Sequence, residues 1–138
     1  MITISKDFTF EASHILPNHP GKCSRLHGHS WQLTVAVTGP VDTRTGFVCD
    51  YGDLKKCVTE LIIDKVDHQH LGYGSMYSAS VQKAAVDVYP TSENLVVLFA
   101  QMLMPEIDKQ RLTLAFVRLR ETCTSAALWT PSGAAVVL

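Results

Sequence analysis

The sequence predicts a single α+β domain with the element order β-β-α-α-β-β, that is, a four-stranded antiparallel sheet and two helices. Three observations support this fold class. Apolar and polar residues alternate near both ends of the chain, as in half-buried strands. Between these ends, apolar residues recur at helical spacing in two segments. The length of 138 residues suits one domain, so residues 1–138 are expected to form one unit.

The first predicted strand runs from Ile2 to His14 and the second from His27 to Thr38. Residues at every second position of a strand lie on the same face of the sheet. A Gly-Pro pair ends the second strand. The residues that share one face are Phe8, Phe10, Ala12 and His14 in the first strand and His27, His29, Trp31, Leu33, Val35 and Val37 in the second.

Two helices are predicted in the middle of the chain. Asp50 is expected to cap the first helix, which ends near Asp67. The second helix follows Pro90 and is expected to end at Pro105, because proline disrupts the hydrogen bonds of a helix interior. The segment between them, from Gly72 to Pro90, is long and has a weak hydrophobic pattern. The apolar stripes consist of Leu54, Val58, Leu61, Ile62 and Val66 in the first helix and Leu95, Leu98, Phe99, Met102 and Leu103 in the second.

The last two strands are predicted from Leu112 to Glu121 and from Ala126 to Thr130. With both helices on one face of the sheet, the other face would remain uncovered. Strands rich in Val and Leu in a sheet this small indicate contacts with other copies of the chain. A homo-oligomer is therefore expected.

Composition and charge exclude several classes of protein. Hydrophobic residues make up 46% of the chain and charged residues 18%, which is typical of a globular protein. The net charge of −1 lacks the basic excess of nucleic-acid binders, so no nucleic-acid partner is expected. The longest apolar stretch, from Leu95 to Met104, is too short to span a membrane. Without a recognisable secretory signal, a cytoplasmic protein with four reduced cysteines is expected.

The His-Gly-His tripeptide at 27–29 points to a metal site. Its two imidazoles lie on the same side of the predicted second strand. If the first two strands pair antiparallel, the histidine at the end of the first strand comes close to both. Three neutral imidazoles suit zinc and leave a fourth coordination position for water or substrate. Ordinary strand histidines are the alternative. The predicted ligands are His14, His27 and His29, with His19 and His70 as competing candidates.

Cys23 lies four residues before His27, and the sequence leaves three roles open for it. It could be a fourth metal ligand that closes a structural site. It could instead be a thiolate base or nucleophile whose pKa the nearby cation lowers. A small buried apolar residue is the third possibility. Spacing alone does not choose among these roles.

Two further groups are candidates for proton transfer or ligand binding. Asp67 and His68 could form an acid/base pair in which the carboxylate orients the ring. The alternative for His68 is a favourable position at the end of a helix dipole. Glu121 could bind a guanidine-like ligand edge through paired hydrogen bonds. The alternative for Glu121 is a rim position paired with Arg118 or Arg120.

Five segments together resemble the 6-pyruvoyl-tetrahydropterin synthase family, in family order and over nearly the whole chain. The resemblance implies the tunnelling fold, or T-fold. In that fold trimers join their sheets into a barrel, two trimers commonly stack into a hexamer, and active sites lie at subunit interfaces. The segments are Phe8-Thr-Phe-Glu-Ala-Ser-His14, Cys23-Ser-Arg-Leu-His27-Gly-His29, Asp67-His68, Pro90-Thr-Ser-Glu-Asn94 and Arg120-Glu-Thr122.

The resemblance also implies roles for single residues. The family has three zinc-binding histidines, a catalytic cysteine, and a histidine that is the acid/base partner of this cysteine and is supported by an acid. A glutamate anchors the pterin and takes part in the proton relay, and a short segment lines the pterin pocket. The matching residues are His14, His27 and His29 for zinc, Cys23, His68, Asp67 and Glu121 for catalysis, and Glu121, Thr91 and Ser92 for the pterin.

Within the family, the Cys-x-x-x-His-Gly-His spacing and the Glu-Thr-Cys-Thr run at 121–124 are similar to the bacterial 6-carboxy-tetrahydropterin synthase branch. That branch is a zinc-dependent carbon–carbon lyase of queuosine biosynthesis. It converts 7,8-dihydroneopterin triphosphate into 6-carboxy-5,6,7,8-tetrahydropterin, acetaldehyde and triphosphate. The alternatives are the pyruvoyl-forming branch, a zinc hydrolase of another class and a noncatalytic zinc-stabilised module. Gly72 departs from the family, which usually has Asn there, and the connection at 72–90 is unusually long for the bacterial branch.

Overall fold

The structure is a computed structural model that describes residues 1–72, 86 and 88–132. Apart from one short additional strand between the helices, its elements follow the predicted order along the chain, which confirms the α+β class. The strands are β1 (Ile2–His14), β2 (His27–Gly39), β3 (Gln69–Leu71), β4 (Thr113–Thr122) and β5 (Ser125–Trp129). The helices are α1 (Tyr51–Val58), which continues through a π-helical stretch (Thr59–Ile63) into the short α2 (Asp64–Val66), and α3 (Ser92–Lys109).

The sheet has five strands in the order β3-β1-β2-β4-β5, one more than predicted. The pairs β1–β2, β2–β4 and β4–β5 are antiparallel, as expected. The additional strand β3 pairs parallel with the end of β1, with Ala12 opposite Gln69 and His14 opposite Leu71. A strand of three residues is too short to show alternation, so the sequence pattern did not reveal it.

The helices cover one face of the sheet and form the core with it. Phe10, Trp31 and Phe99 lie at its centre and are almost completely buried. The rings of Phe10 and Trp31 stack with their centroids 5.9 Å apart, and Phe99 meets Phe10 edge-on at 6.3 Å. Burying such large aromatic side chains contributes strongly to stability. The core therefore fixes β1 and β2 along the length that leads to their histidines.

The opposite face of the sheet carries polar side chains. The Thr34 hydroxyl donates to the Asp7 carboxylate at 2.6 Å and accepts a hydrogen bond from the Arg118 guanidinium at 3.3 Å. These three residues come from β1, β2 and β4, so the network crosses the middle of the sheet. Coverage of this face by other copies of the chain stays a prediction.

The helix starts agree with the sequence prediction, whereas one predicted helix end is wrong. The Asp50 carboxylate accepts a hydrogen bond from the Gly52 N–H at 2.6 Å and so caps α1. Helix α3 does not end at Pro105 but continues to Lys109. An interior proline costs about 3 kcal/mol. Full burial of Ile107 beyond it contributes about 1.5–3 kcal/mol, which offsets most of that cost.

Most of the connection at 72–90 lies outside the described residues, as do 133–138. The prediction that this connection shapes a pocket rim or a subunit contact therefore stays a prediction. All four cysteines lie within the described ranges and are free thiols. No helix among the described residues has the length and apolar character that crossing a membrane would require.

Candidate metal centre

Three histidines converge where β1 ends and β2 begins. The antiparallel register places His14 opposite His27 and Ala12 opposite His29, so the three imidazoles lie on one face. One ring nitrogen from each histidine lies within 4.8 Å of those of the other two. The Nε2 atoms of His14 and His29 are 3.1 Å apart. Gly28 lies between two of the ligands, where a Cβ atom would come within 3.3 Å of a β1 carbonyl oxygen.

Backbone carbonyls fix the protonation of two of these rings. His14 Nδ1 lies 2.8 Å from the Pro90 carbonyl oxygen, and His27 Nδ1 lies 2.7 Å from that of Arg25. A carbonyl oxygen can only accept, so each Nδ1 carries the proton and each Nε2 keeps a lone pair. This arrangement of a ring N–H on a carbonyl is typical of metal-binding histidines.

The clearest indication of a ligand is the Nε2 atom of His27. It is buried and has no hydrogen-bond partner among the residues that the structure describes. A buried polar atom without a partner is costly, at about 1–3 kcal/mol. A metal ion bound by this lone pair would remove that cost. The three histidines therefore fit zinc, in number, atom type and protonation.

Burial favours the neutral form of two of the three rings. It is the main cause that lowers the pKa of His14 from 6.5 to about 4, while the hydrogen bond to Pro90 acts in the opposite direction. Burial also lowers the pKa of His29, against the attraction of the Glu121 carboxylate. Metal ions bind the neutral form of imidazole. At neutral pH, protons therefore compete little with a metal ion for the nitrogen lone pairs of these two rings.

Trp31 supports the cluster from the core side. It is fully buried, and its indole N–H donates to the Ala12 carbonyl oxygen at 3.2 Å. Its ring contacts those of His14 and His29 nearly edge-on, with centroids 5.1 and 5.3 Å away. The sequence placed Trp31 only on the strand face that it shares with His27 and His29. Its role beside the metal site, like the carbonyls of Pro90 and Arg25, follows from register and backbone position, which leave no side-chain signature.

Glu121 lies at the same cluster. One carboxylate oxygen, Oε1, is 3.4 Å from His14 Nε2 and 3.7 Å from His29 Nε2, and the side chain is 25% exposed. Glu121 does not pair with Arg118 or Arg120, which was the alternative prediction for it. Arg118 donates to a threonine on the opposite face, and Arg120 donates to a carbonyl oxygen of the β4–β5 turn.

Cys23 lies in the loop that joins the two histidine-bearing strands. It occupies a 3-10 turn (Lys22–Ser24) and is half-buried. The Leu16 N–H donates to the Cys23 carbonyl oxygen at 2.9 Å, which closes the loop. The side chains whose potential ligand atoms all lie within 4.8 Å of one another are the three histidines, without Cys23 and without Glu121. Unlike Glu121, Cys23 has no contact with a histidine of this group among those that the structure shows. This arrangement favours an unbound thiol near the site over a fourth ligand.

Asp67 and His68 form a pair at a different edge of the domain. His68 Nδ1 lies 3.0 Å from the Asp67 carboxylate. The same carboxylate accepts the Glu11 N–H at 2.9 Å, and this hydrogen bond is the main cause that lowers the pKa of Asp67. The His68 ring is 77% exposed, and its backbone is left-handed with φ 58°. The pair thus faces outward, whereas His14 is completely buried.

Thr91 and Ser92 stand at the start of α3. The Thr91 hydroxyl caps the helix by accepting the Asn94 N–H at 3.2 Å. The Ser92 hydroxyl donates to the neighbouring Glu93 at 3.3 Å. Their predicted place along a pterin pocket stays a prediction. The observed contribution of this segment is the carbonyl of Pro90, which holds His14.

Comparison with known proteins gives a consistent family. Residues 3–131 match the family described as 6-pyruvoyl tetrahydropterin synthase. A 6-carboxy-5,6,7,8-tetrahydropterin synthase from Synechocystis is 36% identical over 132 residues, which is 92% of each chain. A protein of the same name from Haemophilus influenzae is 41% identical over 71 residues, and the match spans about half of each chain.

The chain is also similar to proteins named as 6-pyruvoyl synthases. The human 6-pyruvoyl tetrahydrobiopterin synthase is 34% identical over 106 residues, or 68% of each chain. The solved structure of the Caenorhabditis elegans 6-pyruvoyl tetrahydropterin synthase superposes with a TM-score of 0.73 at 25% identity, over 95% of this chain and 96% of that one. This likeness confirms the predicted T-fold. The chain therefore belongs to the 6-pyruvoyl tetrahydropterin synthase family and is a lyase-type enzyme that acts on pterins.

Proposed function

We propose that the chain is a zinc-dependent 6-carboxy-tetrahydropterin synthase. It would convert 7,8-dihydroneopterin triphosphate and water into 6-carboxy-5,6,7,8-tetrahydropterin, acetaldehyde and triphosphate, in the cytoplasm and on the route to queuosine. The observation that carries the proposal is the buried Nε2 of His27, which has no hydrogen-bond partner among the described residues and points to a metal. Two relatives with this product name support the choice of branch.

Bound zinc would supply Lewis-acid polarisation of the hydroxyl groups on the substrate side chain. The chain supplies the rest. His14, His27 and His29 would hold the metal through Nε2, and Trp31 with the Pro90 carbonyl keeps His14 in place. This set is rigid because two adjacent strands and the core fix it, and such pre-organisation is what catalysis requires.

Three further groups have proposed roles. Cys23, as thiolate, would take a proton from the substrate side chain during the internal redox shift. His68, oriented by the Asp67 carboxylate, would return or remove another proton. Glu121 would hold the pterin ring through paired hydrogen bonds to its guanidine-like edge. Thr91 and Ser92 would lie along the same pocket.

The exposed position of His68 supports a site shared between subunits. A catalytic histidine must reach the substrate, yet this one faces outward, whereas His14 is completely buried and the other two predicted ligands are half-buried. In a homo-oligomer built from trimers, as a trimer or a dimer of trimers, His68 of one copy would complete the site of its neighbour. The family resemblance implies the same arrangement.

Product analysis tests the proposed reaction. Incubation with dihydroneopterin triphosphate should yield 6-carboxy-tetrahydropterin and acetaldehyde, identified by mass spectrometry. A pyruvoyl product without acetaldehyde would instead assign the chain to the other branch. Phosphate release without any change in the pterin would favour a hydrolase, and no turnover by a zinc-loaded oligomer would favour a noncatalytic module.

Mixing two inactive variants tests the shared site. Chains with Cys23→Ala and chains with His68→Ala should each be inactive alone. If the two residues act across an interface, random co-assembly restores an intact pair at about one interface in four. Activity that stays absent in the mixture, with mixed oligomers demonstrated, would place both residues in one chain.

A further inference from the structure

We infer that Glu121 is the fourth zinc ligand in the substrate-free enzyme, and that it leaves the metal to bind the incoming pterin. The inference deepens the proposed function and rests on it for the identity of the metal and the substrate. It assigns Glu121 two successive partners, where the resemblance implies only the pterin and the proton relay. The starting point is the position of its carboxylate at the histidine cluster.

The distances match a shared coordination sphere. Zinc binds imidazole nitrogen and carboxylate oxygen at about 2.0–2.2 Å, so two ligand atoms of a tetrahedral site lie roughly 3.3–3.5 Å apart. The Oε1 atom of Glu121 is 3.4 Å from His14 Nε2 and 3.7 Å from His29 Nε2, and the two nitrogens are 3.1 Å apart. These three atoms are therefore close to the spacing of such a tetrahedron. Glu121 lies outside the group of side chains whose ligand atoms are all within 4.8 Å of one another, which comprises the three histidines, so its carboxylate must shift toward His27 to complete the coordination sphere.

The lone pairs support the same assignment. His14 Nδ1 donates to a carbonyl oxygen, so its Nε2 presents a lone pair to the cluster. The Glu121 carboxylate also presents lone pairs there, at a distance too long for a direct hydrogen bond of good geometry. Two groups with the same polarity face one point, and a cation at that point would make both contacts favourable. A carboxylate would also neutralise part of the charge of the ion in this partly buried site.

The exposure of the ligands indicates which of them can leave. The His14 side chain is completely buried and held by Pro90, whereas Glu121 is 25% exposed and lies on the open side of the cluster. No residue of the described part of the chain is recorded as a hydrogen-bond donor to its carboxylate, whereas Glu11 on the opposite face binds Ser30. Glutamate can therefore rotate away from the metal without disturbing the histidines.

The exchange would couple recognition to reactivity. A guanidine-like edge offers two N–H donors, which suit one carboxylate. When this edge binds Glu121, the fourth coordination position becomes available to the hydroxyl groups of the same substrate. A ligand without such an edge would leave the position closed. The substrate class favoured by this device therefore carries a cyclic guanidine and a vicinal diol.

Cobalt-substituted protein provides the test, because the visible spectrum of Co²⁺ reports its ligands directly. The variants are Glu121→Ala and Glu121→Gln, with Glu11→Gln on the opposite face of β1 as a matched control. Both Glu121 variants should shift the Co²⁺ spectrum and weaken metal affinity at least about 10-fold. Loss of a residue that only supports a ligand already weakens affinity by about 10-fold, so loss of a ligand should weaken it at least as much. Chelator competition measures the affinity, and the control should match the wild type.

The exchange itself is tested in Cys23→Ala, in which the proposed block of turnover lets the substrate persist. Dihydroneopterin triphosphate should shift the Co²⁺ spectrum of this variant. Adding the same compound to Cys23→Ala combined with Glu121→Gln should produce a smaller change. Glu121 variants with wild-type affinity and spectrum would overturn the inference, as would a bound substrate that leaves the spectrum unchanged.

The two proposals fail in different ways. If the metal measurements come out as expected but no 6-carboxy product forms, the proposed reaction falls and the assignment of Glu121 as a ligand stands. If the product forms while the Glu121 variants keep the wild-type spectrum, the reaction stands and the ligand assignment falls. A wild-type chain that binds no metal would overturn both.

Discussion

Two regions of the domain combine histidine with a carboxylate, and they differ mainly in burial. In the metal centre, His14 is completely buried beside Glu121, and burial lowers its pKa to about 4. At the edge of β3, the His68 ring is 77% exposed and lies 3.0 Å from Asp67. The same residue types therefore give a buried candidate metal ligand in one place and a solvated pair in the other.

This difference shows that a functional role depends on surroundings as well as on residue type. The buried rings cannot easily accept a proton, which suits metal binding. The exposed ring can exchange protons with water but lacks an enclosed site of its own among the described residues. It would need a neighbouring copy to exclude water. The following experiments test this contrast, beginning with the largest expected effect.

Removing one of the three clustered rings should abolish metal binding. In His27→Ala, zinc should fall from about one per chain to near zero, because the two remaining imidazoles make a weak site. Turnover should drop by more than about 10⁴-fold, beyond the usual contribution of one acid or base. Metal analysis of the purified protein and a product assay measure the two effects. In the matched His68→Ala variant, zinc should remain, and its loss there would erase the contrast.

Cys23→Ala should separate chemistry from metal binding. Turnover should fall by about 10²–10⁴-fold, as expected for a positioned base, while zinc content and oligomer size stay unchanged. Cys123→Ala, at an exposed turn, is the control and should behave as the wild type. Loss of zinc in the Cys23 variant would make it a structural ligand. Normal turnover would remove it from the mechanism.

The metal-free protein should lose stability as the pH falls from about 6.5 to about 4. The folded chain keeps His14 neutral in this range while the unfolded chain takes up a proton, so protonation favours unfolding. The pKa values of His29 and His70 are also lowered, which adds to the effect. The shift for His14 alone corresponds to about 3 kcal/mol at most.

Urea unfolding of the chelator-treated chain at several pH values measures this loss. His68→Gln, which leaves the three histidines of the candidate metal centre in place, is the control for an exposed histidine. A stability that stays constant between pH 6.5 and 4 would show that the buried rings are protonated in the folded state. The inference that burial keeps His14 neutral in the folded chain would then be wrong.

The smallest expected effect separates a helix cap from a pocket residue. Thr91→Ala should cost about 1 kcal/mol of unfolding free energy, because the Asn94 N–H loses its acceptor. Ser92→Ala should change stability little. Thermal unfolding and the KM for the pterin, measured on both variants, test the two roles. A raised KM without lost stability would make Thr91 a substrate contact instead of a cap.

The sequence predicted the fold well where patterns were long. The alternation along β1 and β2 predicted which side chains share one face of the sheet, and Asp50 predicted the start of a helix. Strand β3 escaped because three residues show no period. The predicted helix end at Pro105 was wrong because the effect of proline on a helix is local, whereas the burial of Ile107 depends on the whole core.

The candidate site could also be predicted where it depends on the alternation along a strand, and not where it depends on how distant segments pack. Strand spacing alone indicated that His27 and His29 face one point, and pairing added His14. The position of Glu121 against these rings depends on how β4 pairs with β2, including a bulge within that pair. The Pro90 carbonyl was out of reach, because any residue has a carbonyl and only the docking of α3 aims this one.

The hairpin of β1 and β2 has a consequence for folding. It carries all three histidines, whereas the groups that orient or approach them, Pro90 and Glu121, lie far along the chain. Until those segments dock on the hairpin, the carbonyl that fixes the tautomer of His14 is missing. We therefore expect the hairpin alone to bind metal ions with little selectivity, and tight metal binding to mark the completion of folding and not its beginning.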